Sequence, residues 1–101
     1  MEHQPEFPGG YDAMMEFIRA NMRYPAEARM MGIEGTVYTS FIVELNGAVS
    51  SVNTIRGISE SCDNEAKRVL ALFPKWIPGK QSGKQVRVRF VMPIKFNLNN
   101  K

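Results

Sequence analysis

The most regular stretch of the sequence is VRVRFVMPIKFNL, residues Val86–Leu98. Its even-numbered positions are all apolar, whereas its odd-numbered positions are basic or polar apart from Val91 and Pro93. An apolar side chain at every second position is typical of a β-strand with one face on the core and the other in water. We therefore predict a half-buried strand near the C-terminal end of the chain.

Pro93 lies in the middle of this predicted strand. Because proline cannot donate a hydrogen bond to a sheet, a strand that contains one usually lies at a sheet edge or carries a bulge. A long open edge can aggregate, or it can bind an extended peptide as an additional strand. If the missing N–H of Pro93 faces the open edge, the backbone groups of Val91 and Lys95 also face outward, and those of the even-numbered residues bond the neighbouring strand.

Composition and length indicate one soluble globular domain. The chain has 101 residues, 44% hydrophobic and 23% charged, which is ordinary for such a domain. Cys62 is the only cysteine, so an intrachain disulfide is excluded. The sequence has no run of about eighteen apolar residues and no signal-peptide pattern. Any membrane anchor or export signal of the natural protein is expected to lie outside this sequence.

The charges are unevenly distributed along the chain, although the net charge is only +3. All acidic residues lie at or before Glu65, and every charged residue from Lys67 onward is basic. This asymmetry of charge occurs in proteins that bind an acidic partner or nucleic acid, and equally where a charged face is only solvated. We favour the solvated face for most of these residues. A nucleic-acid surface needs exposed aromatic residues, but Phe90 and Phe96 fall on the buried positions of the strand. We predict no nucleic-acid partner.

The first third of the chain predicts two helices. Residues 1–10 contain two prolines and two glycines, Pro5, Pro8, Gly9 and Gly10, and are expected to form an extended lead-in. An amphipathic helix follows, with an apolar stripe that we assign to the core: Tyr11, Met14, Met15, Ile18 and Met22. Tyr24-Pro25 ends it, and a second short helix is predicted from Pro25 to Met31.

The middle of the chain predicts a β-hairpin and a third helix. A strand with alternating apolar residues ends at Asn46-Gly47, a strong hairpin signal. The returning strand, 48–56, has irregular alternation, which indicates a bulge. Ser59 or Ser61 is expected to cap the next helix, in which Cys62 is a small buried hydrophobic residue. A polar turn ending at Gly83 leads into the last strand. The predicted fold is α+β: two or three helices packed on one face of a three-stranded antiparallel sheet.

The sequence contains no recognisable catalytic or metal-binding arrangement. His3 is the only histidine and Cys62 the only cysteine, so neither a histidine-activated nucleophile nor a metal site at ligand spacing is supported. The glycine-rich segments lack phosphate-loop spacing. We predict a protein that is not an enzyme, with no catalytic residues, no metal and no cofactor.

An ordered set of motifs resembles the TonB C-terminal domain over roughly Tyr24–Leu98. The motifs are Tyr24-Pro25-x-x-Ala28, Gly32-x-x-Gly35-x-Val37, Phe41-x-Val43-x-x-x-Gly47-x-Val49, Ala66, Trp76-x-Pro78-Gly79, Gly83 and Pro93-Ile94-x-Phe96-x-Leu98. The upstream PEFPGG segment, residues 5–10, and the helix after it resemble the version common in Bacteroidetes. The resemblance divides the chain into a lead-in (1–10), a TonB C-terminal domain (11–98) and a tail (99–101).

The resemblance implies a specific function. TonB-type energy transducers are anchored in the inner membrane, and their periplasmic C-terminal domain binds the TonB box, a short extended segment of outer-membrane TonB-dependent transporters for siderophores, vitamin B12 and other nutrients. The inner-membrane ExbB–ExbD complex drives them through regions absent from this chain. The family's peptide pairs with the last strand, which corresponds here to Val86–Leu98. A homodimer formed by strand exchange is also allowed by an open edge.

These implications give the candidate site. The expected peptide-binding edge consists of Arg87, Arg89, Val91, Pro93, Lys95 and Asn97, and the expected secondary contacts are Tyr24 and Pro25. We expect the basic residues of the edge to attract an acidic peptide. The sequence departs from the family at Glu27, where some members are basic, so no contact is carried over to that position. The alternative is a similar interaction module fused to another membrane protein, such as a BlaR-type sensor-peptidase, with no role in transport.

Overall fold

The computed structural model describes residues 2–99 of the chain. Three helices and five strands follow one another in this order: α1 (Tyr11–Asn21), α2 (Ala26–Met30), β1 (Gly35–Val43), β2 (Val49–Arg56), α3 (Glu60–Ala71), β3 (Gly79–Gln81), β4 (Lys84–Val86) and β5 (Val88–Phe96). The prediction of an α+β fold with helices and a three-stranded antiparallel sheet is confirmed. The predicted tail at 99–101 falls outside the described residues except for Asn99.

The main sheet has the order β2-β1-β5, and both pairings are antiparallel. β1 is central because it pairs with β2 on one side and with β5 on the other. Its alternating residues Val37, Thr39, Phe41 and Val43 are buried. β1 and β5 stay in register over nine residue pairs without a shift, from Gly35 opposite Phe96 to Val43 opposite Val88. This long regular ladder places β5 at one edge of the sheet.

The predicted single strand Val86–Leu98 is wrong at its N-terminal end. The strand is interrupted at Arg87, and the residues before it form β4, which pairs with β3 in a separate two-stranded sheet. The predicted polar turn ending at Gly83 is instead the tip of this β3–β4 hairpin, where Ser82 and Gly83 have φ angles of 54° and 77°. The alternation of apolar residues continues through Arg87, so the sequence pattern does not reveal the change of sheet.

The β1–β2 connection is the predicted hairpin. The side-chain oxygen of Asn46 accepts a hydrogen bond from the Ala48 N–H at 3.0 Å, and Gly47 has a φ of 88°. The bulge predicted in the returning strand is also present, because the β1–β2 register shifts twice and Ser51 has a φ of 53°. This irregular strand, β2, forms the edge of the main sheet opposite to β5.

The helices cover one face of the main sheet. α3 packs on β1 and β2, and α1 and α2 pack on α3. The Ser59 hydroxyl caps α3 by accepting a hydrogen bond from the Cys62 N–H at 3.1 Å, and the Cys62 side chain is fully buried as predicted. The core between the layers includes an aromatic group that determines much of the packing: Phe7, Phe41, Phe73 and Trp76.

The N-terminal segment, residues 2–7, is extended, lies against the start of the β3–β4 hairpin and is followed by a turn at Pro8 and Gly9. His3 and Lys80 exchange two backbone hydrogen bonds of 3.0–3.1 Å, and Glu6 and Ile77 exchange two of 2.8–2.9 Å. The Phe7 side chain is 6% exposed and belongs to the core. Backbone pairing and one buried aromatic ring thus attach this segment to the rest of the fold.

Candidate functional site

The free edge of β5 is the side on which Pro93 lies. The Thr39 hydroxyl of β1 donates a 2.8 Å hydrogen bond to the Met92 carbonyl, so the backbone groups of Met92 face β1. Backbone direction alternates along a strand, and therefore the N–H and C=O groups of Val91 and Lys95, and the C=O of Pro93, face away from β1. Proline causes no loss in the β1–β5 ladder because it occupies an outward position. The sequence had left this orientation as a condition on Pro93.

The outward edge presents backbone groups that are available for pairing. Within residues 2–99, no strand pairs with this side of β5. The side chains of the same residues are exposed, and Val91 is 52% exposed. From 91 to 95 the edge offers two N–H donors and three C=O acceptors, with one donor missing at Pro93.

A groove of about 1120 Å³ borders this edge, and we call it the edge groove. Its first wall is β5, from Phe90 to Asn97. Its second wall is one continuous stripe of α1 together with the residue that follows this helix: Tyr11, Met14, Met15, Ile18, Arg19 and Met22. The stripe follows helical spacing, so a single face of α1 faces the strand edge across the groove.

Aromatic contacts define the two ends of the edge groove. At one end Trp76, which lines the groove, lies 5.3 Å from Phe90 between ring centroids, and Phe7 packs on Trp76 at 5.8 Å. At the other end Tyr24 meets Phe96 edge to face at 5.6 Å. α1 begins near the first end and finishes near the second, and it therefore runs in the same direction as β5.

The second wall is held in place by buried side chains and by one ionic network. Met14 and Ile18 are each 6% exposed and belong to the core. At the end of α1, the Glu65 carboxylate accepts hydrogen bonds from the Arg68 guanidinium at 2.7–2.8 Å and from the Arg23 N–H at 2.7 Å. These hydrogen bonds lower the pKa of Glu65, and those from Arg68 contribute most. Arg68 also donates to the Asn21 carbonyl at 2.7 Å, which connects the end of α1 to α3.

The edge groove is more basic than acidic. Three cationic residues line it, Arg19, Arg29 and Lys95, compared with one carboxylate, Glu6. The Arg29 guanidinium lies 5.1 Å from the centre of the Tyr24 ring, a cation–π distance. Arg19 forms a largely exposed ion pair with Glu16, and such pairs hold a side chain only weakly. The excess of positive charge favours an anionic group on a bound molecule.

The structure brings five of the eight predicted site residues to the edge groove. These are Val91, Pro93, Lys95, Asn97 and Tyr24. The Tyr24 hydroxyl donates to the Ile33 carbonyl. Burial raises the pKa of this hydroxyl above its ordinary value, and nearby Cys62 and Glu34 add to the increase. Tyr24 is therefore a packed residue that also borders the groove.

The other three predicted residues lie elsewhere. Arg87 precedes β5 and forms an ion pair with Glu44 at 2.6 Å, and its hydrogen bonds lower the pKa of that carboxylate, with a smaller contribution from Ser50. Arg89 is exposed on β5 opposite Ile42 but does not line the edge groove. Pro25 precedes α2, where its φ of −60° suits the start of a helix.

Sequence reasoning missed the second wall of the edge groove, which α1 forms and which we call the α1 wall. The apolar stripe of α1 was recognised, but it was assigned to the core, whereas only Met14 and Ile18 are buried and Tyr11 is 69% exposed. The methionine-rich composition of the stripe was the available signal, because methionine is common on surfaces that adapt to varied partners. Distinguishing the two roles requires knowing that α1 packs on α3 and leaves a gap beside β5.

Two further features of the described residues bear on function. Residues 2–99 contain no group of three or more histidine, cysteine or acidic side chains placed to hold a metal ion. None of the helices in this range is both long and apolar enough to span a membrane.

The fold and the edge groove define a small α+β domain with a strand edge to which no strand pairs within residues 2–99. The chain belongs to the family described as Gram-negative bacterial TonB protein C-terminal, which matches residues 20–98. Comparison with curated proteins returned no match.

Three solved structures share this fold. Two are NMR solution structures of the Helicobacter pylori TonB C-terminal domain. The one of residues 179–285 is 25% identical, with a TM-score of 0.65, and covers 86% of this chain and 78% of its own. The one of residues 194–285 is 26% identical, with a TM-score of 0.63 and coverages of 88% and 94%. The Pseudomonas aeruginosa TonB C-terminal domain is 23% identical, with a TM-score of 0.62 and coverages of 79% and 81%, and supports the fold alone.

Proposed function

We propose that this domain is the periplasmic part of a TonB-type energy transducer and binds the TonB box of outer-membrane transporters by strand addition to β5. Its anchor in the inner membrane and its contacts with the ExbB–ExbD complex would lie in segments outside this chain. The cargo would be a nutrient of the siderophore or vitamin type. Membership of the family and the outward edge of β5 support this proposal.

The observation that carries the proposal is the backbone orientation at Met92. Because the Met92 carbonyl faces β1, the outward donors and acceptors belong to Val91, Pro93 and Lys95. They lie beside the edge groove, which is lined along β5 from Phe90 to Asn97. Strand addition uses main-chain groups that every peptide carries, which suits a transducer that serves transporters of different sequence.

Main-chain pairing alone would give modest affinity. Each hydrogen bond contributes about 1 kcal/mol net. A flexible peptide also loses conformational freedom when it binds, which offsets part of that gain. The basic excess of the edge groove would add attraction for a peptide that carries acidic residues, and this contribution should decrease with salt.

An NMR titration tests the proposal. Blocked peptides of about ten residues, copied from TonB boxes of transporters of the same organism, are added to ¹⁵N-labelled domain. We expect the largest amide shifts at Val91, Lys95 and Asn97, together with a shift of the Trp76 indole. Shifts confined to residues outside 89–97, or no shifts with any peptide, would contradict strand addition to β5.

Proline substitutions on β5 provide a sharper version of the test. Val91→Pro and Lys95→Pro each remove one outward donor, so peptide binding should weaken about fivefold or more, while the unfolding free energy changes by less than about 1.5 kcal/mol. Met92→Pro removes an inward donor and should destabilise the domain clearly more than Met92→Ala, which separates the backbone effect from side-chain loss. Equal destabilisation at Val91 and Met92 would show that the assigned orientation is wrong.

The edge of β5 also admits a second copy of this chain, which would compete with a peptide for the same backbone groups. Analytical ultracentrifugation with and without peptide distinguishes the two occupants. A dimer that dissociates as peptide is added would place both at β5. A dimer that is unaffected by peptide, and persists in Val91→Pro, would use another surface.

A further inference from the structure

We propose that the α1 wall selects the side chains of the peptide that pairs with β5. The wall residues concerned are Tyr11, Met15 and Met22, and the feature that they select is an apolar side chain at alternate peptide positions. The inference rests on the proposed function, since it names what the second wall does once a peptide lies on the first.

The geometry of an added strand gives the first step. A peptide that extends the sheet beyond β5 has its side chains pointing alternately to the two faces of the sheet. The face toward which Phe90, Met92 and Ile94 point is the one that the helices cover. Every second peptide side chain therefore enters the space between β5 and α1, whichever direction the peptide runs.

The chemistry of the wall gives the second step. Tyr11 is 69% exposed, and Met15 and Met22 are half-buried, so apolar surface faces the edge groove beside a strand edge. Methionine is flexible and polarisable, which lets it pack against apolar side chains of different shape. Such a wall favours valine, leucine or methionine over alanine without demanding one of them.

The surroundings of the wall give the third step. Arg19, Arg29 and Lys95 place positive charge around the same groove, so the fitting partner is an apolar peptide that also carries an acidic residue. Tyr11 and Met15 lie before residue 20, where the family match begins. Most of the second wall therefore comes from the part of this chain that the family match does not include, and its selectivity would be particular to chains that carry this segment.

The wall can be altered without removing what holds α1. Met14 and Ile18 supply the buried contacts of the helix, and the Glu65 carboxylate supplies its ionic attachment through Arg68. Met15 and Met22 are half-buried and pack against the core only in part. Met15→Ala combined with Met22→Ala should lower the stability but keep the fold, as checked by circular dichroism and by the fluorescence of Trp76.

The experiment is an alanine scan of the peptide against two forms of the domain. Blocked peptides, each with one alanine replacement in a TonB box of the same organism, are titrated by fluorescence anisotropy into wild type and into the Met15→Ala/Met22→Ala variant. Met30→Ala/Met31→Ala is the matched control, because these methionines are 86% and 70% exposed and lie outside the edge groove.

We expect replacement of an apolar residue at alternate peptide positions to weaken binding to wild type about tenfold, as for partial burial of one such side chain. In the Met15/Met22 variant the same replacements should weaken peptide binding less than about threefold, whereas the control should reproduce the wild-type profile. If the double variant does not fold, Tyr11→Ala carries the comparison, since its side chain is the most exposed of the three.

The outcomes separate the two proposals. Wild type that binds, with an alanine profile unchanged in the Met15/Met22 variant, would overturn the selecting role of α1 while strand addition to β5 stands. Wild type that binds none of the peptides would overturn both. Loss of selectivity in the Met30/Met31 control would also contradict the inference, because the effect would not depend on the wall.

Discussion

Replacing Phe7 by alanine should destabilise the whole domain, although this residue lies outside the helices and strands, before α1. The Phe7 side chain is 6% exposed, and its ring centroid lies 5.8 Å from Phe17, 5.3 Å from Phe73 and 5.8 Å from Trp76. Truncating a buried phenylalanine to alanine costs about 3–5 kcal/mol. We expect about 3 kcal/mol, since a segment paired through only two isolated bridges can relax into part of the cavity.

That loss is large for a domain of this size. Single domains unfold with about 5–15 kcal/mol, and for about 100 residues each kcal/mol lowers Tm by roughly 4–8 °C. Phe7→Ala should therefore lower Tm by roughly 12 °C or more. Urea unfolding gives the free energy directly, with Trp76 as the reporter because it is the only tryptophan and contacts Phe7.

Tyr11→Ala is the matched control for this measurement. It removes another aromatic ring from the same part of the chain, but one that is 69% exposed, so a change within about 0.5 kcal/mol is expected. A loss below about 1 kcal/mol for Phe7→Ala, or equal losses for the two variants, would refute the packing of the N-terminal segment into the core.

Three other substitutions test different parts of the structure. Gly47→Ala should destabilise by about 2–4 kcal/mol, because Gly47 has a φ of 88° and a Cβ there would lie 2.0 Å from the Trp76 carbonyl oxygen; an unchanged Tm would contradict this. Glu65→Gln should flatten the acid dependence of stability: hydrogen bonds from Arg68 lower the Glu65 pKa from its ordinary 4.5, so its stabilisation is full above that value and is lost as pH falls through the lower folded value. Denaturant unfolding at several pH values between 3 and 6 measures the difference, and parallel curves for wild type and variant would count against it. Lys95→Gln should weaken binding of an acidic peptide a few-fold and reduce its salt dependence, as measured by anisotropy at low and high ionic strength; an unchanged salt dependence would show that Lys95 does not face the bound peptide.

Local patterns were enough to predict most elements of the fold. Alternating apolar residues predicted β1 and β5, Asn46-Gly47 predicted the hairpin between β1 and β2, and the disturbed alternation of 48–56 predicted the bulge. Pro93 indicated a sheet edge or a bulge, because a missing N–H is tolerated only where no ladder bond is required, but it left the outward side of β5 as a condition. Each of these features depends on residues close together in the chain.

The errors came from features that depend on distant residues. The alternation of apolar residues does not reveal that the strand is interrupted at Arg87. Val86 and Val88 are both apolar and differ only in the strand with which each pairs. Arg87 itself was assigned to the peptide edge on its charge and position, but Glu44, 43 residues away in sequence, holds it. A pattern within one segment carries no information about such a partner.

The sequence by itself determined most of the elements, the family resemblance and the proline within the last strand, because side-chain period and proline chemistry act locally. The structure decided that this proline faces outward. Only the tertiary structure decided that this edge borders a groove. The groove exists because α1 packs on α3, with Glu65 and Arg68 holding its end, and so lies across a gap from β5. Whether an apolar stripe is core or binding surface depends on that placement, since the same residues satisfy the helical pattern in either case.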